Sequence, residues 1–115
     1  MKSDKLNKML IMHLPQLRQK YSDEVSWQEG DDTGSHTVFG DVLTPYLIEC
    51  ILQNNQQEMI NIFNLLESIL CLNDEYADEV ISLSVFESMA YLFKEKPYLR
   101  EFLGEYSRKV LEEFS

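Results

Sequence analysis

Two cysteines, three prolines, four glycines and one tryptophan are all that 115 residues contain of those types, and positions 21–93 hold no lysine or arginine. Two cysteines cannot build the disulfide framework of a small secreted scaffold. So little proline and glycine leaves no room for a flexible linker or a low-complexity tail. No apolar run approaches the roughly 20 residues needed to cross a bilayer, because Asn, Asp, Glu or Ser interrupts every long segment. Met9 to Met12 falls short of the roughly 7–15 apolar residues of an export signal. These absences predict a cytoplasmic protein with no membrane segment. What is present, 44% hydrophobic residues, is enough for a packed core in one domain.

Charge is unevenly spread. The chain carries 20 acidic against 10 basic side chains, a formal net charge of -10. Residues 1–20 set Lys2, Lys5, Lys8, Arg18 and Lys20 against Asp4 alone, and residues 94–115 balance five of each sign. The whole negative excess therefore lies in residues 21–93, with 14 acidic side chains. Such a surface repels nucleic acid, whose binding depends on phosphate neutralisation by Lys and Arg. It attracts cationic partners over long range. A plain solubilising surface is the competing reading.

Periodicity predicts an all-α fold. Leu6, Leu10, Leu14, Leu17, Tyr21 and Val25 recur at helical spacing, but Pro15 should split the stripe into helices at about 3–12 and 15–28. One kinked helix is the alternative. Residues 30–37 read as a turn-rich loop, and Gly40-Asp41 as a tight turn capping a helix over about 42–53. Asn55-x-x-Glu58 has capping-box spacing for a helix to about Leu72. Asn73-Asp74 should cap the next, over about 75–94, apolar on every side and therefore central. Pro97 opens a short helix that Gly104 ends, and residues 105–114 close the chain with Tyr106, Val110, Leu111 and Phe114 facing inward. About six helices result, with no sheet, in a compact bundle or a short stack of antiparallel hairpins. Residues 1–29 read as an N-terminal helical arm and 38–115 as an acidic helical body. Whether the arm packs on its own body or on a second copy stays open at this stage.

No reaction is written in the residues. Cys50 and Cys71 fall on apolar helical segments about 15 Å apart in level, at 1.5 Å rise per residue, so two reduced, buried thiols are expected. His13 and His36 have no metal-ligand spacing to each other or to cysteine, and the Asp31-Asp32 turn lacks the periodicity of a calcium loop. No metal, no cofactor and no phosphate loop is expected. His13 reads as a break residue and His36 as a loop residue, neither within sequence reach of a nucleophile. Glu67 and Glu87 lie at the edges of apolar helical arcs and are candidate buried carboxylates. They read either as structural hydrogen-bond acceptors or, given an open cleft between their helices, as an acid–base pair.

Phe39-Gly40-Asp41 before a helix, Phe63-x-x-Leu66-Glu67 on the next, Val85-Phe86-Glu87 on the central helix and Leu103-Gly104 before the last together resemble a family of small all-helical bacterial proteins that are uncharacterised. The resemblance spans residues 14–111. Some members accompany polymorphic toxin loci, which implies an immunity role for those members. Asp41, Glu67 and Glu87 are the matching acidic positions, with no catalytic role implied. Glu105 departs from the proline the family places after the late glycine.

The expected function is a non-enzymatic protein-binding domain, most concretely an immunity protein blocking a basic toxin. Its partner-binding acids would include Asp31, Asp32, Asp74, Glu75, Asp78 and Glu79. The helix-start dipole at residues 74–79 is a rival account of the acids there. The alternative is an accessory or scaffolding protein binding through an apolar groove, with exposed aromatics such as Trp27 as anchors. A homo-oligomer is compatible with either.

Overall fold

The computed structural model describes residues 1–114, and its regular structure is helical throughout. The helices are α1 (Ser3–His13), α2 (Arg18–Val25), α3 (35–52), α4 (Gln56–Leu70), α5 (75–95) and α6 (Glu105–Glu112). Tighter 3-10 turns occupy Pro15–Leu17, Gly30–Asp32 and Pro97–Phe102. Among the described residues there is no strand, and no helix is long and apolar enough to cross a membrane.

Most boundaries have a local cause. Leu14, forced out of the helical region by Pro15, has φ -127° and ψ 68° and separates α1 from α2. The apolar stripe nevertheless stays buried from Leu6 to Val25. Asn54 and Asn73, both at φ 55°, take the left-handed conformation that ends α3 and α4. Asn55 accepts the Glu58 N–H at 3.3 Å to start α4, and Asp74 accepts the Ala77 N–H at 2.9 Å to start α5. The Asn55 half of the capping box thus forms. Glu58 turns instead to the Tyr46 hydroxyl and the Gln16 amide, each at 2.7 Å.

The short turns make α3 and α4, then α4 and α5, antiparallel neighbours, and so α3 and α5 lie side by side in parallel. Their core centres on aromatic rings. Phe63 meets Phe93 and Phe102 at 6.2 Å between centroids, and Phe86 stacks on Phe93 at 6.1 Å. The arm joins this same core, with Leu6, Leu10 and Leu17 buried in one continuous cluster with Phe39 and Leu43. A buried polar knot fixes it there: Asn7 donates to the carbonyls of Thr33 and Asp31 and accepts from the Ser35 hydroxyl at 2.8 Å. Ser3 and the Tyr76 hydroxyl, 2.7 Å apart, tie it to α5. The radius of gyration of 13.3 Å matches the roughly 13 Å of a fully compacted chain this long, so the arm packs in cis.

Three expectations are corrected. The helix expected from Val42 begins at Ser35, so His36 is helical and Gly40-Asp41 is helix interior and not a turn. Residues 39–43 accommodate this by widening to π geometry, the Thr44 N–H reaching back five residues to the Phe39 carbonyl. Pro45, which lacks an N–H, directly follows. Residues 82–86 of α5 do the same, Glu87 N–H bonding to the Ser82 carbonyl. Cys71 is exposed, not buried, because it caps the end of α4 beyond the apolar arc; Cys50 is buried, its thiol pKa pushed up by burial, and both are free thiols. Tyr106 is exposed where it was expected to face inward, and Ser107 is buried in its place.

Candidate functional site

The structure divides the six candidate acids into two groups. Asp31 and Asp32 sit on the turn beside Asn7, where the Tyr21 hydroxyl donates to Asp31 at 2.7 Å. Burial first, and then the Asp31 carboxylate, raise the Tyr21 hydroxyl above its ordinary range. Asp74, Glu75, Asp78 and Glu79 lie at the start of α5, next to Met1 and Ser3. The groups meet different turns at and near α1, where exposed Lys5 and Lys8 stand on the helix and exposed Lys2 just precedes it.

Within the second group the acids differ. Asp74 accepts the Met1 ammonium at 2.7 Å and the Ala77 N–H, which together hold its carboxyl below the usual range. Glu75 and Glu79 are exposed. Asp78 is half-buried, its Oδ1 has no hydrogen-bond partner among the described residues, and desolvation, followed by the Asp74 charge, pushes its pKa up. A raised folded-state value means stability is present below the unfolded pKa of about 3.9 and is lost as pH rises through the folded one. Asp78→Asn should therefore stabilise the protein at pH 7 by about 0.5–1 kcal/mol, even after losing the favourable helix-start charge. The gain should vanish near pH 3, as urea melts at both pH values would show.

Of the two candidate buried carboxylates, Glu67 is half-buried and Glu87 is exposed. The expectation for Glu87 is thus corrected: π widening at 82–86 rotates it off the apolar arc on which uniform helical spacing places it. The two are not brought into a shared cleft by any described contact. Glu67 reaches across from α4 to cap α6, accepting the N–H of Tyr106 at 3.0 Å and the N–H and hydroxyl of Ser107 at 2.9 and 2.8 Å. Burial alone would raise its carboxyl, but these donors overcome it and hold the group below its ordinary range. Gly104 is what admits it, since a Cβ there would collide with the Glu67 side chain. The motif pairs Phe63-x-x-Leu66-Glu67 and Leu103-Gly104 are thus two halves of one contact.

A second contact, which sequence spacing did not expose, joins the segments that carry the other two motifs. The widened segments of α3 and α5 lie against each other, with Ser84 at the seam. A Cβ on Gly40 would stand 3.8 Å from that of Ser84, and the Thr44 hydroxyl donates to the Ser84 carbonyl at 2.7 Å. His36 Nδ1 lies 2.9 Å from Ser84 Oγ and its Nε2 lies 3.2 Å from Glu79 Oε1. Reading residues 30–37 as a loop hid this relay, because only a helical His36 faces α5. Serine, histidine and carboxylate in line is a nucleophile-activating order. Here, however, Ser84 lies inside a helix whose N–H groups are turned to helical bonding, with no donor pair shown for an oxyanion. The relay is a hydrogen-bonded clasp between α3 and α5.

Outside the seam both helices present solvent-facing stripes at helical spacing. Asp41, Pro45 and Leu52 are exposed along α3, with Ile48 between them half-buried, and Leu83, Glu87 and Tyr91 are exposed along α5. Neither helix carries a lysine or arginine before Lys94. Among the described residues no cluster of His, Cys, Asp and Glu is suited to a metal ion.

Residues 7–115 fit the family model described as a domain of unknown function, DUF7674, and the chain belongs to that family. No curated protein and no solved structure matches it.

Proposed function

We propose that this member of the family is a non-enzymatic binding domain whose acidic middle block takes a basic protein, in the manner of an immunity protein covering a cationic toxin. The single observation carrying this reading is the lysine- and arginine-free span of residues 21–93, which in the fold supplies all of α3 and α4 and nearly all of α5. Exposed Asp41, Glu75, Glu79 and Glu87 on that span would steer a cationic surface into contact. The bound domain would then act by steric coverage. Asp74 contributes less than the sequence suggests, being engaged with the Met1 ammonium.

The test is capture of partners at low salt from the source cell, followed by association kinetics of the purified pair. A partner of basic isoelectric point, with an on-rate falling about tenfold or more from roughly 0.02 to 0.2 M salt, is the expected result. An on-rate indifferent to salt would overturn the reading. A second reading, an accessory protein docking through apolar contacts, draws on Trp27, which is 73% exposed at the end of α2. Under it Trp27→Ala abolishes binding while charge reversal at Asp78 and Glu79 does not.

A further inference from the structure

We propose that the outer face of the α3/α5 pair is the docking surface, and that its occupant is an amphipathic helix of a basic partner protein. This rests on the acidic-partner reading above and says where and how the partner sits. Four observations converge. The arm leaves it open: Lys5 and Lys8 lie on α1, α1 and α2 pack on the early part of α3, and Lys20 lies over the Tyr46 ring at 5.4 Å. The one lysine or arginine on the two helices is Lys94, near the C-terminal end of α5. It is apolar at its centre, with Leu52, Leu83 and Tyr91 exposed by 67%, 47% and 52%. Isolated exposed hydrophobes are ordinary, but here they recur along two neighbouring parallel helices, the arrangement that receives an apolar helix stripe.

The third observation is charge. The fixed charges that accompany these apolar groups before Lys94 are acidic, with Asp41 on α3 and Glu79 and Glu87 on α5. An apolar strip flanked by carboxylates complements leucine-like side chains flanked by lysine or arginine, and repels an acidic helix or a nucleic acid. A second copy of this chain would bring the same carboxylates face to face. The fourth is rigidity. The Ser84–His36–Glu79 clasp, the Thr44 to Ser84 bond and the matched π segments hold the two helices in fixed register along the seam that borders the face. π segments recur at functional sites because they re-aim side chains that a regular helix would bury.

The experiment uses the full chain and three synthetic peptides: an amphipathic leucine/lysine helix, the same composition scrambled, and a leucine/glutamate helix of the same pattern. Amide chemical shifts map the contact, and calorimetry gives the affinity. Binding of the leucine/lysine helix alone is expected, with shifts concentrated in residues 41–52 and 79–91 and the single tryptophan, Trp27, unperturbed in fluorescence. Tyr91→Ser and Asp41→Lys/Glu87→Lys should each weaken it about tenfold. Asp23→Lys/Glu29→Lys, which reverses exposed acids on and just after α2, should change it less than about twofold. All the substituted side chains are exposed, so circular dichroism should report unchanged folding.

Shifts centred on Trp27 or on residues 31–32 would overturn the location while leaving the acidic reading standing. Equal binding of the scrambled peptide would overturn the helix as occupant. Equal binding of the leucine/glutamate peptide would overturn charge complementarity, and the acidic reading with it. Concentration-dependent dimerisation in sedimentation, lost in Tyr91→Ser, would assign the face to a second copy and overturn the proposal.

Discussion

Replacing Gly104 with alanine should destabilise the protein by about 2–3 kcal/mol, the range for forcing a methyl into filled space. Backbone strain is not the cause, since Gly104 has φ -79° and ψ -177°, angles open to any residue. The cost comes from the Glu67 side chain, which fills the space a Cβ would need. To admit the methyl, Glu67 must withdraw from the N–H groups of Tyr106 and Ser107, leaving α6 without a side-chain cap. Glu67→Ala should itself cost about 2 kcal/mol, because charge-assisted bonds from a half-buried carboxylate are lost. In the Glu67→Ala background, Gly104→Ala should then cost less than about 1 kcal/mol, as the obstruction is gone. A double-mutant cycle by urea unfolding reads that coupling directly, and additive costs would refute the latch. Acid should loosen the same latch: a carboxyl held below its ordinary value stabilises the fold above about pH 4 and loses that contribution as pH falls through the folded value.

The largest single loss is expected from Phe86→Ala. Phe86, the last residue of the π segment of α5, is fully buried and stacks on Phe93, which in turn meets Phe63. Removing a buried ring costs about 3–5 kcal/mol through lost transfer energy and the cavity left behind. Against a total of about 5–15 kcal/mol, that places the variant near its unfolding threshold at physiological temperature. Phe86→Leu, which keeps most of the volume, should cost no more than about 1.5 kcal/mol. Thermal melts of both, monitored by circular dichroism, decide this; a Phe86→Ala penalty below about 1 kcal/mol would mean that the ring cluster is not the centre of the core.

How much of this could be read in advance divides along a physical line. Apolar spacing, proline positions and Asn or Asp at helix starts mark the bounds of α1, α4 and α5 closely, because those signals are local. But α2 ends at Val25 and not near Gln28, and α5 is not apolar on every side, since Leu83, Glu87 and Tyr91 face solvent. The start of α3 was misread for a local reason too: Gly40 and Asp41 are turn formers, and only burial of Val38 and Phe39 against the arm and α5 overrides them. Glu67 was recognisable as a half-buried acceptor, but its partners are some 40 residues away, and nothing nearby announces them. The His36, Ser84 and Glu79 clasp was wholly illegible, since it needs both the helical state of His36 and the parallel neighbour relation of α3 and α5. For Glu87, a uniform 100° wheel fails wherever a helix changes its pitch.

The two widened segments decide where this chain can lose a residue. Each holds one residue more than a regular helix would need, so deleting one residue within 39–43 would return that stretch to regular α geometry and leave the downstream half of α3 in phase with the bundle. Leu47, Cys50 and Ile51 would keep their places on the core. In the regular turns on either side nothing absorbs the loss, and a deletion there would turn everything downstream by about 100°. Single-residue deletions should therefore be tolerated better within 39–43 and 82–86 than elsewhere along α3 and α5.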